Sequence, residues 1–542
     1  MKILAYKHLN LLYFAGCFVV LFLIYFSAHR AMLIDDGISG IWEIKMQGLQ
    51  GYMKSYGFEN FYYGHYGIVA VLYFLFGLHA LGWYIFFVAM HALNATLIFV
   101  FCQKLFQHSM HLKQATIMAL CGSLLFLLSP YQSENIIWAA TSHYSVTFCV
   151  LLTGLILLDH KISAKGQPPY FIFHLLFAFA LLTLEISFLF PVIWTALFFL
   201  YKKLNENEIS IRVFFLNFLL PQIVLVFIYC LFHKLYFQTW IPHDRAGADT
   251  SFSLAHSITT LSQQILKLFG FVHYLQYSTR DSIYSSLLHW KKVMLLFVLF
   301  SGGISFWLYR KDRRVFYTAL FLMGTAILLY LPFMRLYFMY LARIENDRYN
   351  YFSSAFLFLL LVYLLFQISR KLGYLIISAY LIAFIICLFP VVSARKHSAV
   401  LHHAYLAQLP ADTTAGKIYL LNVPASCKDA YVFRAEGRTG IAYQTIYNKS
   451  IFDKIVQVAW YNAQSENDDF EAKKISDSSY QVQIKTNGSW WMYQSIGASD
   501  RENETFRFTL DQWGAYNLSF NRRPAPNDLI LLYDQGKFIN LN

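Results

Sequence analysis

Apolar runs long enough to cross a membrane recur along most of this chain, and they restrict its fold more than any other feature. The runs are roughly 15 to 24 residues long and continue almost to residue 393, close to the length that crosses a bilayer as a helix. Charged residues make up 13% of the sequence, which is about half of the share in a soluble globular protein. We therefore expect an α-helical polytopic membrane protein.

The apolar runs predict about eleven spans. They cover residues 11–28, 82–103, 115–129, 137–158, 169–184, 187–201, 213–236, 292–309, 315–337, 352–369 and 373–393. Residues 66–79 form a further apolar run, but it is short, so we interpret it as an interfacial or half-inserted helix. The first run has no small-residue cleavage site after it, and we expect it to be retained.

The basic residues predict the orientation of these spans. The net charge of +13 would suggest a nucleic-acid partner in a soluble protein, but here the basic residues lie mostly in short loops, so we expect no nucleic acid. With the N-terminus in the cytoplasm, alternation places five basic groups on the cytoplasmic side: Lys104 with Lys113, Lys161 with Lys165, Lys202 with Lys203, residues 310–314, and Arg370 with Lys371. This orientation satisfies the positive-inside rule, whereas counting 66–79 as a span would invert it.

The other loops and the C-terminal region then share the non-cytoplasmic side. Residues 1–393 form the predicted transmembrane domain, with long outer loops at 29–81 and 237–290. Residues 394–542 are less apolar and contain short alternating segments typical of strands. We predict a small β-rich domain there, with one hairpin turning at Asn487-Gly488 and another at Asp534-Gln535-Gly536.

Ionisable residues at the ends of the predicted spans are the candidate functional residues. Asp35 and Asp36 follow the first span, Glu134 begins another, and Glu185 lies between two spans. Arg348 follows a span on the same predicted face. A charge this close to hydrocarbon costs a few kcal/mol unless it meets water, a partner or a substrate. An ordinary helix-terminating loop would also explain the Asp-Asp-Gly sequence.

Four stretches of the chain resemble the motifs of one known family. They are Asp35-Asp36-Gly37 after the first span, the segment Ser129 to Trp138, the segment Leu181 to Pro191 around Glu185, and Asp347-Arg348-Tyr349-Asn350-Tyr351. In this order they are similar to the GT-C superfamily of membrane glycosyltransferases, and most similar to its protein O-mannosyltransferase-like branch. The chain departs from the pattern of that branch at Ser129, where His is usual, and at Leu184, where Lys is usual.

The resemblance implies a function and a set of roles. It implies a GT-C-like transmembrane fold and transfer of a sugar from a polyprenyl-phosphate-linked donor to a protein, lipid or glycan acceptor on the non-cytoplasmic face. Such a transfer needs a base for the acceptor hydroxyl and cations for the leaving phosphate. Asp35 or Asp36 is the candidate base. The pair could instead hold a divalent cation such as Mg²⁺ or Mn²⁺, or share one proton.

The remaining candidates divide into two groups. Arg348, Tyr349 and Glu185 are candidates for binding the donor phosphate, since a guanidinium grips phosphate bidentately. Glu134, His65 and His143 are candidates for binding the acceptor or for supporting the other groups.

Each of these residues also has a structural interpretation. Arg348 could pair with Glu345 or Asp347, and Glu185 with Arg30. Glu134 is favourable at a helix N-terminus by the helix dipole alone, and the two histidines could be ordinary interfacial residues.

A transporter or a flippase for lipid-linked glycans is the alternative function. We expect the protein to span the bacterial inner membrane, in contact with membrane lipids, with its active site and C-terminal domain on the periplasmic face.

Overall fold

The fold is mostly helical, with a small β-rich region at the C-terminal end. The computed structural model describes residues 2–542 except 55–60, 164–168, 205–208, 241–253, 272–273, 275–278, 280–281, 284–302, 305, 336–343, 411–413, 415, 429, 487, 492–499 and 513. The helices are α1 (Lys2–Tyr25), α2 (Asp36–Lys54), α3 (Tyr63–Phe76), α4 (Ala80–Gln107), α5 (Leu112–Leu128), α6 (Ser133–Ile137), α7 (Ser142–Ser163), α8 (Tyr170–Leu181), α9 (Phe190–Lys203), α10 (Ile211–Phe214), α11 (Leu220–Phe237), α12 (Leu254–Gly270), α13 (Arg313–Tyr330), α14 (Tyr351–Ile368), α15 (Arg370–Gln408) and α16 (Arg438–Tyr447).

Eight helical segments of the described chain are long and apolar enough to cross a membrane. They are His8–Leu33, Ala80–Gln107, Ala139–Ile162, Glu185–Lys203, Ile211–Phe237, Arg313–Met334, Asp347–Ile368 and Arg370–Gln408. A ninth arises if α5 and the segment Pro130–Ile137, which are bent by 56°, count as one span. This set is compatible with a multi-pass integral membrane protein.

The predicted count of eleven spans is not reached within the described residues, for three reasons. The run at 115–129 is α5, whose direction breaks at Pro130. The run at 169–184 contains α8, a shorter apolar helix of 12 residues, below the roughly 17 to 25 residues of a usual transmembrane helix. Most of the run at 292–309 lies outside the described residues. The run at 66–79 corresponds to α3, a short apolar helix of 14 residues.

Helix α15 is far longer than the apolar run that predicts it. Its 39 residues extend about 58 Å at the usual helical rise, and the helix passes through residue 393 without a break. Phe389 is 72% exposed, as expected for a side chain that faces lipid. Arg395 and His402, further along, are buried. The ring centres of His402 and Phe433 are 4.7 Å apart, and the Tyr405 hydroxyl donates to the Asn422 carbonyl at 3.0 Å. The last turns of α15 therefore pack against the C-terminal domain.

Three sheets form the C-terminal domain. Their strands are β1 (Ile418–Leu420), β2 (Val423–Cys427), β3 (Ala430–Tyr431), β4 (Ile455–Gln457), β5 (Trp460–Ala463), β6 (Phe470–Ser476), β7 (Ser479–Ile484), β8 (Ser489–Trp491), β9 (Arg501–Glu502), β10 (Phe506–Gln512), β11 (Ala515–Phe520), β12 (Leu529–Asp534) and β13 (Lys537–Asn540). The strand orders are β13-β12-β1-β4, β6-β7-β11-β10-β9 and β3-β2-β5-β8. Strand β1 is parallel to both of its neighbours, and its residues are all buried, as is usual for parallel strands.

One of the two predicted hairpins is confirmed. Strands β12 and β13 pair antiparallel, with Asp534 opposite Lys537 and positive φ angles at both turn residues, Gln535 and Gly536. The other hairpin prediction is wrong. Strand β7 pairs with β6 and β11, whereas β8 pairs with β5 in a different sheet, because Trp490 is buried there.

Candidate active site

A left-handed turn at Asp35 places the acidic pair at the start of α2. Asp35 has a φ of 50°, a conformation that aspartate tolerates better than most residues. A Cβ atom at Gly37 would lie 2.6 Å from the Met32 carbonyl oxygen, so this turn requires glycine. The indole N–H of Trp138 donates to the Ile34 carbonyl at 3.1 Å. The segment Ser129 to Trp138 therefore packs directly on the acidic turn.

Asp36 is bound by two arginines of the C-terminal domain. Its Oδ2 accepts a hydrogen bond of 2.8 Å from Nη2 of Arg434, and its Oδ1 forms an ion pair with Arg438. Burial opposes ionisation of Asp36, but the charges of Arg434, Arg438 and Arg348 outweigh burial and lower the pKa of this carboxyl. Asp36 is therefore a fixed anion, poorly suited to accept a proton.

Asp35 is in a different electrostatic state. Its side chain is fully buried, and Oδ1 accepts the backbone N–H of Arg434 at 2.9 Å. Among the described residues, Oδ2 accepts no hydrogen bond, and Nε of Arg434 lies 3.9 Å from it. Burial, reinforced by the charge of Asp36, raises the pKa of Asp35 to about 6. Asp35 thus has one carboxylate oxygen without a hydrogen-bond partner among the described residues, and its pKa lies close to neutral pH.

Glu134 and Arg348 form a second ion pair beside the first. Glu134 is completely buried, and its Oε1 contacts Nη1 of Arg348. Its Oε2 accepts the backbone N–H of Arg348 at 2.8 Å. The guanidinium lies 5.5 Å from the ring centre of Trp138 and donates to the Tyr349 hydroxyl at 3.1 Å. Because the charge of Arg348 also acts on Asp36, the two ion pairs belong to one cluster.

Arg348 does not pair with Asp347, one of the two partners that the sequence suggests for it. Asp347 forms a fully buried ion pair with Lys267 of α12, at 2.7 Å between Oδ1 and Nζ. Arg348 pairs with Glu134 instead. The side chain of Glu345, the other predicted partner, lies outside the described residues.

Glu185, His65 and His143 extend the cluster into the membrane helices. The Tyr62 hydroxyl donates to Oε1 of Glu185 at 2.5 Å, in place of the predicted Arg30 partner. The Tyr62 ring centre lies 6.2 Å from that of His143, and the two histidine rings are 4.5 Å apart. His65 also contacts the Ser142 hydroxyl at 3.2 Å. The charges of Arg348, Glu185 and Glu134 all act on Tyr144, whose ring centre lies 4.8 Å from that of His143. All eight candidate residues of the sequence therefore lie in one region of the structure.

Gly64 allows the start of α3 to lie close to the loop that precedes Glu185. The N–H of Gly64 donates to the Leu182 carbonyl at 2.6 Å, so the start of α3 touches the loop before Glu185. A Cβ atom at Gly64 would lie 2.0 Å from Oγ1 of Thr183. Any larger residue would separate Tyr62 from Glu185.

Arg395 is a buried cation that the sequence analysis missed. It is 1% exposed, and its guanidinium lies 5.9 Å from the ring centre of Tyr431. Among the described residues, its Nε and Nη2 have no hydrogen-bond partner. Its charge acts on Glu134. The side chains of Ser133 and Asn135, on the adjacent helix α6, also have no partner within the described chain.

Arg434 and Arg438 were missed as well. They lie in a polar stretch of the C-terminal domain, where arginine is an ordinary surface residue. Only the fold brings them to Asp36, through contacts between α2 and α16. Trp42 donates to Oε1 of Gln444 at 3.1 Å, and Lys45 donates to the Thr445 carbonyl at 2.8 Å. No local motif predicts this approach. A signal for Arg395 does exist, since it follows the last apolar run directly.

The residues of the acidic pair do not fit a metal ion. Both oxygens of Asp36 are paired with guanidinium groups, so a cation would have to displace an arginine. Among the described residues, no group of three or more His, Cys, Asp or Glu side chains is placed to hold a metal. The arginines supply the positive charge at this position.

Comparison with known proteins adds no assignment. No protein-family model matches the chain, and no curated protein sequence is significantly similar to it.

Proposed function

We propose that this protein is a glycosyltransferase that moves a sugar from a polyprenyl-phosphate-linked donor to an acceptor on the non-cytoplasmic face of the membrane. The observation that carries the proposal is the buried Asp35 carboxylate, one oxygen of which has no hydrogen-bond partner among the described residues, beside several guanidinium groups. Four arginines (348, 395, 434 and 438) lie among the carboxylates of this cluster (35, 36, 134 and 185). Guanidinium groups in a buried position are suited to an anionic ligand such as phosphate.

Asp35 is the base in this proposal. The Oδ2 atom takes the proton of the acceptor hydroxyl while the hydroxyl oxygen bonds to the anomeric carbon of the sugar. The bond from that carbon to the phosphate oxygen breaks, and the phosphate leaves with the electron pair. Attack opposite the leaving group inverts the anomeric configuration. A base with a pKa near the working pH is effective in such a transfer.

The arginines stabilise the leaving phosphate. The Nε and Nη2 donors of Arg395 are buried and have no partner in the part of the chain that the structure describes, and such donors cost about 1–3 kcal/mol each unless a ligand satisfies them. Arg348 is held in a fixed orientation by Glu134, so its guanidinium is a preorganised positive charge. Asp36 fixes Arg434 and Arg438 rather than accepting a proton. We assign different roles to the two aspartates because burial raises the pKa of Asp35, whereas the neighbouring arginines lower the pKa of Asp36.

A chemical analysis of cells tests the proposal. A strain that lacks the protein should accumulate one polyprenyl-phosphate-linked sugar, and a surface glycan or protein should lack that sugar; mass spectrometry measures both. The wild-type gene should restore the product, and the gene with Asp35→Asn should not. The matched control is Asp511→Asn, at an exposed aspartate of the C-terminal domain, which should restore it fully. Restoration by Asp35→Asn would contradict the proposal.

A further inference from the structure

A basic cavity of about 560 Å³ lies at the opposite end of the helices from the candidate active site. His108, His111, Lys311, Arg314, Phe366 and Arg370 are among the residues that line it. Helix α14 begins beside Arg348 and ends at Ile368, so about 27 Å of helix separates the two sites. The cavity is therefore independent of the chemistry proposed above.

The cations of this cavity are oriented but not neutralised. Lys311 donates to the Gln367 carbonyl at 2.7 Å, Arg314 to the His108 carbonyl at 3.4 Å, and Arg370 to Oε1 of Gln114 at 2.8 Å. These acceptors are uncharged, so they hold the side chains in place without cancelling their charge.

Asp312 is the one carboxylate among the lining residues that the structure describes. Its Oδ1 accepts the backbone N–H of Arg314 at 2.8 Å, as the N-cap of α13, where the helix dipole stabilises its charge. The cavity therefore retains a net positive charge that suits a phosphate group.

An apolar cavity of about 240 Å³ lies on the same helix end. Ile304, Trp307, Leu364 and Ile368 line it. Lys311 connects the two cavities, because it lines the basic one and its Nζ lies 4.9 Å from the ring centre of Trp307. A ligand that fills both cavities needs a phosphate group and a hydrocarbon chain. Inorganic phosphate would leave the apolar cavity empty.

We propose that this end of the protein is a binding site for an anionic phospholipid. The phosphate lies among Lys311, Arg314 and Arg370, and an acyl chain lies along Trp307. Basic pockets between membrane helices bind such headgroups. The positive-inside rule places this end in the cytoplasm, where the anionic lipid of that leaflet would reach the site directly.

Lipid binding to the purified full-length protein tests this site without any measurement of transfer. Native mass spectrometry of delipidated protein, titrated with phosphatidylglycerol or phosphatidylcholine, should show a preference of about tenfold or more for phosphatidylglycerol. The triple variant Lys311→Gln, Arg314→Gln, Arg370→Gln should lose that preference. The control Lys202→Gln, Lys203→Gln, which removes two charges at the end of α9, should keep it. An unchanged preference in the triple variant would overturn the proposal.

Two further measurements separate a lipid from free phosphate. Trp307→Ala should weaken phosphatidylglycerol binding about fivefold by removing apolar contact, and about 10 mM inorganic phosphate should not displace the lipid from the wild type. Displacement by phosphate, together with normal binding by Trp307→Ala, would assign the site to a soluble anion and refute the lipid. Should the triple variant fail to insert, the charge-conserving variant Lys311→Arg, Arg314→Lys, Arg370→Lys must keep the preference.

Discussion

At the scale of single residues, the two adjacent aspartates have opposite properties although they share one sequence motif. Asp35 is buried, and its Oδ2 accepts no hydrogen bond from any residue that the structure describes, whereas both oxygens of Asp36 are bound by arginine. The motif alone leaves open which of them accepts a proton. The difference arises from Arg434 and Arg438, which reach the pair from about 400 residues away along the chain, a separation far beyond the range of any local motif.

The first prediction concerns the role of Asp36. Asp36→Asn removes both charged contacts to the arginines and should lower the free energy of unfolding by about 1.5–3 kcal/mol, the usual range for a hydrogen bond to a charged group. Asp35→Asn should leave the unfolding free energy nearly unchanged, because it removes a buried charge that is only partly compensated. Thermal unfolding of the two purified variants measures the difference. Equal destabilisation of both would contradict the distinct roles.

The second prediction is the pH dependence of transfer. Asp35 must be ionised to act as a base, so kcat/KM should fall as the pH drops through about 6. Unfolding does not explain this fall. Because the folded-state pKa of Asp35 is raised above its unfolded value, the contribution of this group to folding stability increases as the pH falls through the same window. Melting temperatures measured across the pH series provide the control. A pH-independent rate between about pH 5 and 7 would rule out Asp35 as the base.

The third prediction concerns Arg395. Arg395→Met should raise the KM for the lipid-linked donor about tenfold or more, the loss expected for one charged hydrogen bond to phosphate. The melting temperature should not fall, because the variant removes a buried cation whose Nε and Nη2 have no hydrogen-bond partner among the described residues. Arg501→Met, at a partly exposed arginine of the C-terminal domain, is the matched control and should keep the wild-type KM. A large loss of stability with an unchanged KM would make Arg395 a structural residue.

At the scale of elements, the contact between α2 and α16 positions Arg438 at Asp36. Trp42 contributes a hydrogen bond to Gln444 and a ring contact of 5.9 Å to Phe452. Trp42→Ala should therefore loosen α16, raise hydrogen exchange within Arg438–Tyr447, and reduce transfer because Arg438 leaves Asp36. Hydrogen-exchange mass spectrometry checks the first effect. Faster exchange in α16 with full activity would show that Arg438 is not needed.

Much of the helical architecture could be predicted from the sequence, because apolar length determines which helices can cross a membrane. The long helix α15 was predicted only in part. The apolar run ends near residue 393, but the chain continues as a helix because the C-terminal domain buries Ser398, His402 and Tyr405. A hydropathy pattern cannot anticipate burial by a distant domain. The wrong hairpin has the same cause, since the turn signal at Asn487-Gly488 is local and the burial of Trp490 is not.

The same contrast between local sequence signals and distant contacts applies to the residues of the candidate site. Asp35, Glu134 and Arg348 could be predicted as neighbours, because charge pattern and span order place them at one end of the helices. Arg434, Arg438 and Arg395 could not be assigned in advance. Their role depends on how the C-terminal domain packs against α2 and α15, which no residue pattern near them indicates.

At the scale of the whole molecule, the orientation in the membrane is a prediction of its own. Cysteine introduced at exposed Asp477 of the C-terminal domain should react with a membrane-impermeant maleimide in intact spheroplasts. Cysteine at Lys311 should react only after permeabilisation. The native cysteines of the described chain are buried or partly buried, and the unmodified protein measures their background. The reverse pattern would invert the orientation that the positive-inside rule predicts.

The central claim is that Asp35 catalyses sugar transfer from a lipid phosphate. The direct test uses purified protein in detergent micelles. Micelles do not separate two aqueous compartments, so a transporter would give no signal in them. The wild-type protein should convert a polyprenyl-phosphate-linked sugar to free polyprenyl phosphate in the presence of an acceptor extract, as measured by mass spectrometry. Asp35→Asn should be slower by about 100-fold or more, the usual contribution of a general base. Equal turnover by the wild type and Asp35→Asn would contradict the assignment of the base, and no turnover of any lipid-linked sugar by the wild type would contradict the transferase itself.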